Sequence, residues 1–173
     1  MPKEKIFVHV GTGNALPERI MVPNSHERHI VFDPGVRKDL FEAIPHVTFH
    51  AKDARSTGLN DRVAHEVHLH NVLSDPRIDI SVRHELLREA VRIAKDSGAI
   101  YVGNTMSRDT FLKGELQETA AKLGLNVEMI LEPKRGHSVW FANEMRLLRT
   151  ITGEHSPYVV PGAYLARLTK IKR

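Results

Sequence analysis

Short apolar runs alternate with longer stretches of helical periodicity along the 173-residue chain. The short runs are rich in β-branched residues, and we predict strands over 5–10, 29–32, 47–50, 66–71, 99–104, 127–131 and 138–141. Strands that alternate with helices are typical of βαβ units, which place their strands parallel in one sheet. The pattern therefore predicts an α/β protein with a mostly parallel sheet of seven strands.

Helical periodicity is clearest over 81–95, where apolar residues recur every three or four positions and Arg and Glu lie opposite. We predict that Gly98 ends this helix. Further helices are predicted over 36–43 and over 109–123, the latter ending at Gly124. The connection 132–137 is too short for a parallel crossover and suits a hairpin, so the last two strands should run antiparallel.

A chain of this length fits one domain and buries enough surface to fold without metal or disulfide cross-links. We assign residues 1–152 to that domain and residues 153–173 to a C-terminal extension. The extension mixes prolines with aromatic and aliphatic residues. We therefore expect it to pack on the domain or against a second subunit.

Composition narrows the chemistry and the cellular location. The chain has no cysteine, which excludes disulfides, thiolate zinc sites and a cysteine nucleophile, and which fits an intracellular protein. Residues 1–5 lead into an apolar strand instead of a signal-peptide core, and no apolar run approaches the roughly 20 residues of a membrane helix. The net charge of +4 comes from dispersed Lys and Arg. We expect a cytoplasmic protein with neither a membrane nor a nucleic-acid partner.

A glycine turn follows the first strand, and a carboxylate follows the second. Gly11 and Gly13 lack the Cβ that would keep the backbone away from a ligand, and Asp33 comes twenty positions after Gly13. A carboxylate at this place accepts hydrogen bonds from two adjacent ribose hydroxyls in nucleotide-binding folds. The order of these residues predicts a bound adenosine.

The glycine turn, Asp33, Asp53 and the segment 71–76 together resemble the class I S-adenosylmethionine-dependent methyltransferases, over about residues 5–145. The resemblance implies a single-domain, three-layer Rossmann-like sandwich with an antiparallel strand near the C-terminus. It also implies transfer of a methyl group from S-adenosylmethionine to an acceptor that the sequence does not identify. Two positions differ from the family pattern: His9 replaces an acidic residue, and Ala15 replaces a third glycine.

By this resemblance, the glycine turn would pass beneath the methionine part of the cofactor, Asp33 would hold the ribose and Asp53 would face the adenine. The residues that the resemblance assigns to cofactor binding are His9, Gly11, Thr12, Gly13, Asn14, Asp33, Pro34, Asp53, Ala54, Asn71 and Val72. Methyl transfer from a sulfonium requires an acceptor held in line and water kept out, so no catalytic residue is obligatory.

Histidine is abundant, with eleven in the chain. His68 and His70 fall on one side of a strand because side chains alternate along it. A His-x-His pair needs further ligands to hold a metal, and the spacing specifies none, so we predict no metal site. These histidines should instead lie under a helix or near the cofactor. His70 is the candidate for removing a proton from the acceptor.

Two alternatives stay open. A nicotinamide-dependent oxidoreductase uses the same strand, glycine turn and ribose carboxylate, although Leu16 stands where that pattern has its last glycine. A non-catalytic cofactor-binding or partner subunit is favoured by His9 and by the first strand starting at residue 5, where many relatives have preceding helices. We therefore expect a lid from a second copy, from a partner subunit, from 153–173 or from a bulky acceptor.

Overall fold

The computed structural model describes residues 4–12, 26–35, 44–73, 75, 77–104, 115–131 and 164–171. Its strands are β1 (Lys5–Val10), β2 (Glu27–Phe32), β3 (Val47–His50), β4 (Ala64–His70), β5 (Ala94–Asn104), β6 (Leu125–Leu131) and β7 (Tyr164–Lys170). They form one seven-stranded sheet in the order β3-β2-β1-β4-β5-β7-β6. Strands β1 to β5 pair in parallel, and β7 runs antiparallel to both β5 and β6. The predicted α/β class with a mostly parallel sheet is confirmed.

The antiparallel strand comes from a different part of the chain than we predicted. Residues 138–141, over which we predicted this strand, lie outside the described part of the chain. The strand paired with β6 is Tyr164–Lys170, so residues 132–163 connect the two strands instead of a short hairpin loop. Part of the segment 153–173 thus belongs to the sheet itself, while the domain boundary at residue 152 stays a prediction.

The described helices are α1 (Ile80–Ile93), α2 (Glu115–Lys122) and a short 3-10 helix at Ala54–Ser56. Helix α2 confirms the second half of the helix predicted over 109–123, and Gly124 follows it with a φ of 68°. The helix predicted over 36–43 lies outside the described residues. Among those residues, no helix has the length and apolar character needed to cross a membrane.

The prediction that Gly98 ends helix α1 is wrong. The helix ends at Ile93, and β5 begins at the next residue. Gly98 lies where β5 has an irregular register against β4, and a Cβ there would lie 2.9 Å from the carbonyl oxygen of His65. Glycine at this position therefore permits the close approach of two strands.

The apolar core lies on one face of the sheet. This face packs on α1 and α2, and the buried members of the core include Val8, Val67, Leu87, Ile100 and Leu116. These strand residues share a face because they pair across the sheet, as Val8 does with Val67 and Val67 with Ile100. Burial of this apolar surface is the main force that holds the described sheet and helices together.

Candidate functional site

The candidate site lies at the carboxyl edge of the sheet, where the strand order reverses. The chain continues from β1 to β2 and β3 on one side, while β4 and β5 lie on the other side of β1. Open α/β sheets bind ligands in the crevice at such a reversal. Gly11, Asp33 and Asn71 directly follow β1, β2 and β4, so the fold brings three of the predicted residues to one edge.

Gly11 lies under the segment that follows β4. Its φ is 71°, and its N–H donates to the carbonyl oxygen of Phe32 at 3.0 Å. A Cβ at Gly11 would overlap Cγ1 of Val72 and would lie 2.8 Å from the carbonyl oxygen of His70. Only glycine fits this backbone conformation and this contact. The glycine turn and the residues after β4 therefore pack directly on each other.

Asp33 is a buried carboxylate at the end of β2, with only 7% of its surface exposed. Its Oδ1 accepts a hydrogen bond from the N–H of Gly35 at 2.9 Å, which fixes the turn after β2. Its N–H donates to the carbonyl oxygen of His50 at 3.2 Å and so anchors it to β3. These bonds hold the carboxylate at the crevice edge.

Asn71 turns the chain after β4. It adopts a left-handed conformation with a φ of 57°, which asparagine tolerates better than most residues. Its N–H donates to the carbonyl oxygen of Gly103 at 2.8 Å, which ties the turn to β5. This turn aims Val72 back over Gly11.

Asp53 and Ala54 lie beyond β3, farther along the same edge. Asp53 is exposed. Its carboxylate caps the 3-10 helix by accepting a hydrogen bond from the backbone N–H of Arg55 at 2.8 Å, and it also forms an ion pair with the guanidinium of Arg55. Ala54 is buried and Pro34 is exposed. Thr12 is buried, whereas Gly13 and Asn14 lie outside the described residues. The structure gives Asp53 a capping role, and its contact with adenine stays a prediction.

Asp75 lies in the segment that follows β4, and an ion pair with Arg77 favours the charged form of its carboxylate. Its two carboxylate oxygens accept hydrogen bonds from the guanidinium of Arg77 at 2.7–3.2 Å. These hydrogen bonds lower the pKa of Asp75 below its usual value. A carboxylate with a lowered pKa is a poor proton acceptor near neutral pH, so the structure favours an ion-pairing role for Asp75.

A row of aromatic rings crosses the face of the sheet opposite the apolar core. The ring of His9 stacks on His29 at 5.3 Å and on His68 at 4.8 Å, and His68 stacks on Tyr101 at 5.0 Å. The strand register places them there, because His9 pairs with His68 and His68 pairs with Tyr101. Four strands thus contribute rings to a continuous stack, and Phe7 and His70 add to it by stacking on His29 and His9.

Hydrogen bonds connect this row to the candidate proton acceptor. His9 Nε2 lies 3.0 Å from His29 Nδ1, and His9 Nδ1 lies 3.5 Å from His70 Nε2. All three imidazoles are at least 90% buried. The candidate base His70 is therefore in contact with His9, the residue that replaces the acidic position of the family pattern.

His29 and Tyr101 belong to this row of rings but were not identified from the sequence. Each stands at an alternate position of a predicted strand, as His9 and His68 do, so strand alternation alone places each on one of two faces. It does not say whether two strands present their polar faces to the same side. That requires the pairing of β1 with β2 and of β4 with β5, which only the structure supplies.

Comparison with known proteins identifies the fold. The chain matches no protein-family model, and no curated protein is similar to it in sequence. A TehB-like S-adenosylmethionine-dependent methyltransferase from Corynebacterium glutamicum superposes with a TM-score of 0.65 at 16% identity, over 99% of this chain and 83% of its own. A chain of the Haloferax volcanii complex between the Trm112 methyltransferase activator and a methyltransferase gives 0.63 at 16% identity, over 98% and 84%.

The protein thus has the fold of the class I S-adenosylmethionine-dependent methyltransferases, as the sequence resemblance implied. The [4+2]-cyclase SpnF shares this fold as well, with a TM-score of 0.62 at 16% identity, over 99% of this chain and 77% of its own. Similarity at this level of identity establishes architecture, and fold alone does not fix a reaction.

Proposed function

We propose that this protein binds S-adenosylmethionine at the carboxyl edge of β1, β2 and β4 and directs its methyl group to an acceptor. The observation that carries the proposal is the position of Asp33. A buried carboxylate follows β2 directly, and the neighbouring strand β1 ends in the glycine turn. In nucleotide-binding α/β folds, a carboxylate at this point binds the ribose hydroxyls.

The residues of the crevice fit this cofactor. Asp33 would accept the ribose hydroxyl hydrogens, and the backbone at Gly11 and Thr12 would lie beneath the methionine part. The bound cofactor supplies a methyl group already activated on a sulfonium. The protein then has to orient the acceptor and exclude water. His70, buried at the end of β4, would accept a proton from the acceptor where the acceptor carries one.

The sheet order supports this cofactor over a nicotinamide dinucleotide. Dinucleotide-binding folds have the order 3-2-1-4-5-6 with parallel strands. In this protein the antiparallel strand β7 lies between β5 and β6. Binding of S-adenosylmethionine, with indifference to the dinucleotides in the same calorimetric titration, is the expected result.

His9 favours a second candidate, a subunit that acts only with a partner. Both of its ring nitrogens face other imidazoles, at 3.0 Å from His29 and 3.5 Å from His70. An imidazole offers the cofactor's ammonium group no negative charge, whereas the carboxylate of the family pattern does. A partner or second copy would then supply further contacts to the cofactor, and the Haloferax volcanii complex pairs a methyltransferase with an activator. Transfer of labelled methyl only in the presence of a captured partner would support this candidate.

The variant Asp33→Asn should weaken S-adenosylmethionine binding about 10- to 100-fold, because a hydrogen bond to a charged group contributes about 1.5–3 kcal/mol. The amide oxygen of asparagine can still accept the hydrogen bond from Gly35, so the turn should persist. Isothermal titration calorimetry with S-adenosylmethionine and S-adenosylhomocysteine measures the change.

Asp96→Asn is the matched control for Asp33→Asn. Asp96 is exposed and forms ion pairs with Arg62 and Lys170, away from the crevice. Its variant should bind the cofactor as the unmodified protein does. Equal affinities of the Asp33 and Asp96 variants, with unchanged unfolding temperatures, would show that Asp33 does not bind the ribose.

A further inference from the structure

Three histidines from β1 and β4 converge on the face of the sheet opposite the apolar core, which we call the polar face. The side chains of His9, His68 and His70 offer ligand nitrogens that all lie within 4.8 Å of one another. His9 and His70 are buried, and His68 is half-buried. The sequence shows only the pair His68 and His70, and the register of β1 against β4 adds the third imidazole.

His9 lies between two other imidazoles. Its Nε2 lies 3.0 Å from His29 Nδ1, and Glu27 Oε2 lies 3.6 Å from the other nitrogen of His29. Its Nδ1 faces His70 Nε2 at 3.5 Å. A metal ion bound between these two nitrogens would take a lone pair from each and would replace the proton that one of them shares with the other.

His68 has the arrangement expected of a metal ligand held by a carboxylate. Its Nε2 lies 3.0 Å from Glu66 Oε2, so the proton is on Nε2 and Nδ1 is the nitrogen that would bind a metal. Histidine ligands usually donate their second N–H to a carboxylate or carbonyl group, which fixes the tautomer and orients the ring. In this protein Glu66 does so for His68, and His29 lies beside the second nitrogen of His9.

One of the three separations is close to that of a tetrahedral site, and the ligand atoms all lie within 4.8 Å of one another. Bonds of 2.0–2.1 Å from zinc to imidazole place two ligand nitrogens about 3.3 Å apart, and His9 Nδ1 and His70 Nε2 are 3.5 Å apart. The rings of His9 and His68 now stack at an interplanar angle of 15°. Metal binding would tilt them so that both lone pairs point at one centre.

We propose that His9, His68 and His70 bind one divalent transition-metal ion, with Zn²⁺ as the best match. Imidazole nitrogens suit zinc, copper, iron and nickel, whereas magnesium and calcium require oxygen ligands. Three protein ligands leave a fourth position for water or for an acceptor atom, as in catalytic zinc sites. The site lies beside the crevice, because the carbonyl oxygen of His70 packs against Gly11. Metal binding does not require S-adenosylmethionine, so it can be measured separately from the proposed methyl transfer. With a metal bound, His70 Nε2 would be a ligand and would not accept a proton from the acceptor.

The test uses the full chain after removal of metals with a chelator and dialysis. Titration with ZnCl₂ should show one ion bound per chain, and Co²⁺ should give the visible absorption bands of tetrahedral coordination. His68→Ala and His70→Ala should each weaken Zn²⁺ binding at least 10-fold. His84→Ala is the matched control, because His84 lies on α1 and contacts Thr119, away from the polar face. It should bind Zn²⁺ as the unmodified chain does.

Glu66→Gln keeps all three ligands and tests the site without risk to the buried core. Loss of an outer carboxylate usually weakens a metal site 10- to 100-fold, so this variant should bind Zn²⁺ that much more weakly. No saturable Zn²⁺ binding by the unmodified chain would overturn the proposal. So would equal affinities of the His70 and His84 variants, which would show that the imidazole row is a hydrogen-bonded stack only.

Discussion

The variant Gly11→Ala should lose about 2–5 kcal/mol of stability and should no longer bind S-adenosylmethionine. The left-handed backbone costs a residue with a Cβ about 1–2 kcal/mol, and overpacking costs about 1–3 kcal/mol more. The new methyl group would overlap Cγ1 of Val72 and would press on the carbonyl oxygen of His70. Thermal unfolding and calorimetry with the cofactor measure the two effects.

Gly124→Ala separates the backbone cost from the packing cost. Gly124 has nearly the same φ, 68° against 71° at Gly11, but among the described residues other than its chain neighbours no atom lies within 4 Å of the position of its Cβ. This control should lose only the backbone cost of about 1–2 kcal/mol. The double variant Gly11→Ala with Val72→Ala should recover part of the lost stability, because it removes the overlapping methyl group. If Gly11→Ala loses no more stability than Gly124→Ala, the result would show that Val72 does not pack tightly on Gly11.

The variant Glu89→Gln should lose about 2–3 kcal/mol of stability at neutral pH. Glu89 in α1 accepts hydrogen bonds from the N–H and hydroxyl of Thr57 at 2.9 and 2.6 Å, and from the guanidinium of Arg92 at 2.7 Å. It therefore fastens the loop after the 3-10 helix, and with it Ala54, to the core helix. Glutamine offers one acceptor oxygen and presents an N–H₂ group to Arg92. Thermal unfolding should show a fall of about 5–10 °C.

The effect of Glu89 should depend on pH. Hydrogen bonds from Arg92, helped by those from Thr57, lower the pKa of Glu89 from 4.5 to about 2. A carboxylate with a lowered pKa stabilises the folded state above its unfolded pKa and loses that contribution as the pH falls through its folded pKa. The difference between the unmodified protein and Glu89→Gln should therefore be full above pH 5 and should shrink as the pH falls from about 4.5 towards about 2.

Glu118→Gln is the control for Glu89→Gln. Glu118 pairs with Lys122 at 2.6 Å on α2, but both side chains are more than 60% exposed. Exposed ion pairs contribute about 0–1 kcal/mol, so this variant should unfold within about 2 °C of the unmodified protein. Equal losses in the Glu89 and Glu118 variants would show that the hydrogen bonds around Glu89 do not stabilise the fold.

The strands were predictable where their residues carry a local pattern. The predicted bounds of β1 and β3 are confirmed at both ends, because their β-branched and aromatic residues fit the pleated surface of a sheet. Strand β7 was missed, since Tyr164–Lys170 combines apolar and basic residues after a segment with two prolines. Its place between β5 and β6 depends on contacts with residues far away in the chain.

The candidate site was predictable in part for the same reason. Gly11 and Asp33 are recognised from their distance along the chain to the strands that precede them, and both follow those strands in the structure. The ion pairs of Asp53 with Arg55 and of Asp75 with Arg77 were not predictable, although each arginine is only two residues away, because they depend on how the loop folds. The contact of Asp53 with the adenine stays a prediction.

The sequence by itself determined the α/β class, the carboxylate after the second strand and the glycine turn, because backbone sterics and side-chain alternation act within a few residues. Only the tertiary structure decided that His9 meets His70, a residue 61 positions later, and that Val72 covers Gly11. The register of the strands is set by the burial of one whole face of the sheet, and a local sequence pattern does not show which strands are neighbours in that sheet. The polar face, with its row of imidazoles, follows from that register.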